Sequence, residues 1–228
     1  MMLKNIMVLL FISIIALGSC NRTADKKESQ QDSIATTAAD SLPKVMDTLA
    51  VPKQEIAQDE SIDRAISNIV RAYSMQDSKA LNSYIDKTIG LYTIYRPGVQ
   101  AIYVHATSID FNHPIPEYYP YPKPNFSGKV TFGILPVYDC GKETWNKKGL
   151  FCNNKQHPTE LSQTAKFMNE ILEAKISDAE IQKLKALEAK SYRVILTDKN
   201  APLIFHITKQ SNRWVLTVID RAYGSCDA

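Results

Sequence analysis

Tyr192 to Ile219 reads YRVILTDKNAPLIFHITKQSNRWVLTVI, three apolar runs cut by two polar breaks. Each run, Tyr192 to Thr197, Leu203 to Thr208 and Trp214 to Ile219, is rich in β-branched and aromatic residues, which suit a half-buried pleated surface. The breaks, Lys199-Asn200-Ala201-Pro202 and Gln210-Ser211-Asn212, are turn-forming. The stretch predicts an antiparallel meander closing the chain. Just upstream, Ser177-Asp178-Ala179-Glu180 is a capping box that opens a helix to about Ala189. Leu161, Ala165, Met168 and Leu172, with Phe167 and Ile171 beside them, form the apolar stripe of a helix before it.

Further back, Lys129 to Val137 alternates Val130, Phe132 and Ile134 with Thr131 and Gly133, a strand pattern. Leu91 to Tyr95 and Ile102 to Thr107 read as strands joined by the turn Arg96-Pro97-Gly98. Ile62, Ala65, Ile66, Ile69, Val70 and Tyr73 recur at helical spacing behind the capping candidates Asp59 and Ser61. A shorter helix starts at the N-cap Asp77, buries Leu81, Tyr84 and Ile85, and stops at Gly90. Helices, then strands, a helical insertion and a terminal meander give an α+β class.

Residues 114–124 hold Pro114, Pro116, Pro120, Pro122 and Pro124 interleaved with Tyr118, Tyr119 and Tyr121. Fixed φ angles and missing N–H donors exclude a helix or a central strand and leave an extended crossing. The three tyrosines are ligand-binding candidates as a lid or docking strip. The plainer reading, which these residues favour, is a stiff connector with its rings packed on the domain edge.

The chain carries 27 Lys and Arg against 24 Asp and Glu, and the first nineteen residues contribute only Lys4 to that count. So even a balance argues against nucleic acid or a polybasic membrane surface as partner. Residues 21–58 have no aromatic and no glycine and only scattered aliphatics, too little apolar surface to offset chain entropy. They read as a disordered tether with an end-to-end distance of about 35 Å. The single folded domain is expected over residues 59–228.

Lys4, the apolar run Ile6 to Ala16 and the small-residue site Leu17-Gly18-Ser19-Cys20 resemble a bacterial lipoprotein signal peptide. The run is too short to cross a bilayer comfortably. The resemblance implies removal of residues 1–19 and acylation of Cys20, with residues 20–58 as lipidated cysteine and tether. It places the domain in the cell envelope, facing the periplasm or the cell surface, with the N-terminal lipid as its membrane partner. Several acyl chains on one cysteine hold far more firmly than one.

The order of elements, and the stretch from Ile66 through Gln76-Asp77, Leu81 to Ile85 and Lys87 to Tyr92, resemble the nuclear-transport-factor-like (cystatin-like) superfamily in its uncharacterised lipoprotein branch. That likeness implies a curved antiparallel sheet wrapped around the N-terminal helices as a cone. The Pro/Tyr crossing and the helical pair between Glu160 and Ala189 are additions to the pattern. Fold does not imply function, but the likeness implies a concave pocket, and hence a small ligand or an envelope protein as partner.

Outside the cytoplasm disulfides persist. Cys140 and Cys152 flank a polar segment with Gly141 and Gly149, and bridging them would contribute about 3 kcal/mol in the chain-entropy model. Cys226 competes for either partner, and three free thiols remain open. Asp139-Cys140-Gly141 superficially resembles the start of cell-wall cysteine peptidases of the NlpC type. The polar residues that follow do not build the apolar helix such a nucleophile needs. Cys140, Cys152 and His157 are too few and too widely spaced for structural zinc. No P-loop, dinucleotide fingerprint or zincin motif is present, so neither cofactor nor metal is expected. Tyr103 and His105 share a strand face, and with Asp110 form the one acid-base constellation a small hydrolase or isomerase could use. A hydrogen-bonded strand histidine beside a solvated aspartate is the blander alternative, and it applies equally to His206. The leading expectation is a non-catalytic, lipid-anchored binding module.

Replacing Cys20 by Ser is expected to move the protein from the membrane to the soluble fraction while its domain stays folded, as read by fractionation and circular dichroism. Unchanged membrane association would contradict the lipoprotein resemblance.

Overall fold

The computed structural model describes residues 60–199 and 201–223, all within the compact unit Pro52–Ala228. Cys20, the expected tether up to residue 58, and Cys226 lie outside the described residues. The first helix, α1 (Ile62–Ser74), lays Ile66, Ile69, Val70 and Tyr73 on one face, each at most 2 % exposed. Its N-cap Ser61 makes no side-chain cap bond. A cap is worth about 1 kcal/mol, whereas each fully buried large apolar side chain contributes about 1.5–3 kcal/mol. Packing therefore fixes this helix. The buried Glu60 carboxylate ties its start to the next element, accepting from Asn68 Nδ2 at 2.7 Å and the Tyr84 hydroxyl at 3.1 Å. Helix α2 (Ser78–Asn82) starts as expected on Asp77, whose carboxylate accepts from Ala80 N at 2.9 Å.

Strands β1 (Leu91–Tyr95) and β2 (Ile102–Ala106) form the first hairpin. Then come β3 (Val130–Phe132), a small separate hairpin β4 (Tyr138–Asp139) and β5 (Thr144–Trp145), and β6 (Leu150–Asn153). Helices α3 (Glu160–Leu172) and α4 (Asp178–Glu188) precede the meander β7 (Ser191–Leu196), β8 (Leu203–Gln210) and β9 (Arg213–Asp220). Ser177 caps α4, accepting from Glu180 N at 3.1 Å. The main sheet runs β2-β1-β9-β8-β7-β6-β3. Near the register shift between His206 and Ile207, Leu216 donates its backbone N–H to the Tyr84 carbonyl at 2.8 Å, tying α2's end to the sheet.

The class is α+β, and the meander is antiparallel as read. The sheet as a whole is mixed, because β1 pairs with β9, and β3 with β6, in parallel. Alternation sends Leu196, Leu203, Phe205 and Leu216 to the face that packs α1 and α2. Tyr92, Ile94 and Val218 face the other way, onto Leu161 and Ala165 of α3 and Ile181 and Leu184 of α4. The helical insertion is thus a second cover, not a detached appendage.

The segment between Cys140 and Cys152 is not a loop closed at its neck. Leu150 and Cys152 point into the α1 side of the core at 1 % and 0 % exposure. Cys152 is a free thiol, and burial pushes its pKa up to about 12. The expected Cys140–Cys152 bridge is therefore absent. Cys140 is disulfide-bonded, and not to Cys152. No helix among the described residues is long and apolar enough to cross a membrane.

Candidate functional site

A chain with prolines at 114, 116, 120, 122 and 124 keeps its carbonyl acceptors but loses backbone donors, so the crossing needs donors from elsewhere. Arg221, the residue after β9, supplies them. Its guanidinium donates to the carbonyls of Ile115, of Tyr119 at 2.5 Å and of Pro120 at 2.8 Å. It also stacks on the rings of Tyr119 and Tyr121, 4.3 and 4.5 Å from their centroids. Tyr121 lies edge-on to Tyr73 and Phe111 and is 4 % exposed. That removes Tyr121 from the binding candidates, since a tyrosine in the α1 core has no free face. Tyr118 and Tyr119 stay outside, at 69 % and 42 % exposure.

Those two rings border a cavity of about 370 Å³. Tyr95 and Arg96 come to it from the end of β1, Tyr138 and Trp145 from the β4–β5 hairpin, Lys199 from the β7–β8 link, and Arg221 and Tyr223 from beyond β9. Trp145 holds the hairpin against the chain end, edge-on to Tyr138 at 5.3 Å and stacked on Tyr223 at 5.9 Å. Arg96, Lys199 and Arg221 are its charged lining residues, and no carboxylate is among the described residues that line it. Concave, aromatic and cationic, the cavity suits an anionic ligand with ring-sized apolar faces.

Arg96 and Tyr223 also line a second cavity of about 310 Å³, whose polar wall includes Glu160, Gln163, Thr164 and Asp220. Behind that wall Arg193 projects from β7 between two carboxylates, paired with Glu160 and, at 2.6 Å, with Asp220. Asp220 ends β9 and Glu160 opens α3, so this guanidinium latches the helix onto the sheet. Burial raises the Asp220 pKa, and the Arg193 charge opposes that rise. Glu188 of α4 accepts from the N–H groups of Leu161 and Ser162 at 2.8 and 3.2 Å, capping α3. His206, opposite Arg193 in the sheet, is fully buried. Neither of its ring nitrogens has a hydrogen-bond partner among the described residues, and Nε2 lies 3.6 Å from Glu160. The blander expectation, a hydrogen-bonded strand histidine, does not hold here. Burial, then the Arg193 charge, depresses its pKa well below the usual imidazole range.

The acid-base constellation expected at Tyr103, His105 and Asp110 does not assemble. His105 is exposed, stacked on Tyr92 at 4.3 Å, and its Nε2 lies 2.7 Å from the Ile89 carbonyl. It occupies the space beside Gly90, where an added Cβ would fall 2.2 Å from that nitrogen. Asp110 pairs instead with the exposed His113, 2.8 Å away. Asp110 and His113 are three positions apart within one turn, whereas His105, on the edge strand β2, is turned to the Ile89 carbonyl. His157 likewise meets the Ser191 carbonyl at 2.9 Å and stacks on Tyr192. Sequence reasoning missed Trp145, Tyr138, Tyr223, Lys199 and the Arg193 latch. The one local signal was a pair of charges, Arg193 and Asp220, on otherwise apolar strands.

A depressed His206 pKa means stability present above pH 6.5 and lost as pH falls toward the folded-state value. The unfolding free-energy difference between wild type and His206→Gln should be flat above that pH. Below it the difference should shrink by up to about 1.4 kcal/mol per pH unit, read by urea denaturation. Asp220, raised in pKa, is common to both proteins, so its opposite trend cancels to first order. A constant difference down to about pH 5 would contradict the neutral, buried imidazole.

Compared with protein-family models, curated proteins and solved structures, the chain matches none.

Proposed function

We propose that this chain is a lipid-anchored binding module of the cell envelope, tethered to a membrane through Cys20, that takes a small ligand in the aromatic cavity. The observation that carries the reading is the convergence of Tyr118, Tyr119, Tyr138, Trp145 and Tyr223 with three cations around about 370 Å³. That volume falls within the ordinary range for small-molecule sites. Tyr118 and Tyr119 keep their rings exposed at this cavity, and contiguous exposed apolar surface is the kind that marks interaction sites. In this reading α1, α2 and the sheet face that packs them form a cone of the cystatin-like kind. The helices α3 and α4 are an addition that closes its outer face, which is supported by the two separate apolar layers on either side of the sheet.

The test uses the full chain carrying Cys20→Ser and a low-molecular-mass ultrafiltrate of cell envelopes, read by native mass spectrometry. A stoichiometric non-covalent adduct is expected, lost in Trp145→Ala and retained in Trp214→Phe, whose ring packs away from the cavity against Tyr192 and Lys209. No adduct, or one that Trp145→Ala leaves intact, would overturn the reading.

A further inference from the structure

We infer that the ligand of the aromatic cavity is an acidic saccharide, a pyranose that carries a carboxylate. This rests on the binding reading above and adds the chemical class.

The rings form a wall, not a slot. Trp145 meets Tyr138 edge-on at 5.3 Å and lies over Tyr223 at 5.9 Å between centroids. A flat aromatic guest between two faces needs them about 7 Å apart, twice the van der Waals contact distance. A pyranose is puckered and rests its C–H face on a single ring. Tyr118, 69 % exposed, offers such a face, and Trp145 lines the cavity with it.

The polar character of the wall comes largely from phenols. Tyr95, Tyr118, Tyr119, Tyr138 and Tyr223 all line the cavity. Each hydroxyl both donates and accepts, and the phenol of none of these five hydrogen-bonds among the described residues. Such a surface matches a ligand rich in hydroxyls. An aliphatic or purely aromatic guest would desolvate these groups and leave them unpaired.

Charge sets the last feature. Arg221 spends its donors on neutral carbonyls, so its positive charge is not neutralised by an acid there. Lys199 is exposed at the mouth and makes no ion pair among the described residues. No carboxylate is among the described lining residues, so an anionic group on a ligand would meet cations on this wall without a competing acid beside them. Lys199 and Arg221 therefore favour a carboxylate on the sugar over a neutral glycan.

Two envelope chemistries present that group, muramic acid and uronic acid, and the probes separate them. Calorimetry with the Cys20→Ser chain would compare N-acetylglucosaminyl-N-acetylmuramic acid with N,N′-diacetylchitobiose, which lacks the lactyl carboxylate. It would also compare trigalacturonate with its methyl ester, and include indole-3-acetate as a flat anion. At least one acidic saccharide is expected to bind about tenfold or more tightly than its neutral counterpart. Lys199→Gln should shrink that gap, and Trp145→Ala should abolish binding. Equal binding of acidic and neutral partners overturns the charge assignment, and so the inference. Binding of indole-3-acetate alone overturns the saccharide class while leaving the cavity a binding site. If no saccharide binds although the envelope adduct is seen, this inference fails and the binding reading stands. If neither is seen, both fail.

Discussion

One guanidinium organises the face of the molecule that carries the aromatic cavity. The crossing from Pro114 to Pro124 cannot pair with a sheet, yet its carbonyls must be satisfied where they are buried. Arg221, 8 % exposed, answers three of them and stacks on two of the crossing's tyrosines. The consequence is a division among neighbouring rings. Tyr121 is drawn inward onto Tyr73 and Phe111, and Tyr118 and Tyr119 are left outward on the rim of the cavity. A lysine could not do this, because its point charge lacks the planar fork that reaches several carbonyls while lying flat on a ring.

Its neighbour Asp220 does the matching work on the opposite side of the sheet's end. Through Arg193 it reaches Glu160, and so fixes the start of α3 over β7 and β9. Charge-assisted bonds of this kind are worth about 1.5–3 kcal/mol each when made. A buried pair, though, gains little over well-packed apolar groups once desolvation is counted. The latch is therefore better understood as setting where α3 sits than as a large source of stability. That placement matters for the cavities, which share Arg96 and Tyr223 as a common wall. The end of β9 thus positions both the crossing and the second helical layer.

What the sequence displays is local. The strands of the meander, the Asp77 cap and the Ser177 half of the capping box depend on residues a few positions apart and are found in the structure, while the Glu180 carboxylate turns to Lys183. Non-local pairing is what it hides. Strand β6 was obscured because Leu150-Phe-Cys-Asn153 lies in a polar stretch, and only its place between β7 and β3 makes it central. The parallel partnership of β1 and β9 joins Tyr92 to Val218 across most of the domain. The site follows the same rule. Tyr118 and Tyr119 were legible as an unusual cluster, but Trp145, Lys199 and Tyr223 join them only through tertiary contacts. For Asp110 the nearer histidine in sequence, His113 in the same turn, is the partner, not His105, whereas proximity misled for Cys152, whose place on a buried strand outweighs its nearness to Cys140.

Amide hydrogen exchange on Arg221→Lys, compared with the unaltered chain, tests whether this one side chain holds the crossing. If it does, the amides of Ile115 and Tyr119 should exchange about tenfold or more faster, while those of the β7–β9 ladder keep their protection. Unchanged exchange in the crossing, or a loss of protection spread evenly through the sheet, would contradict the account.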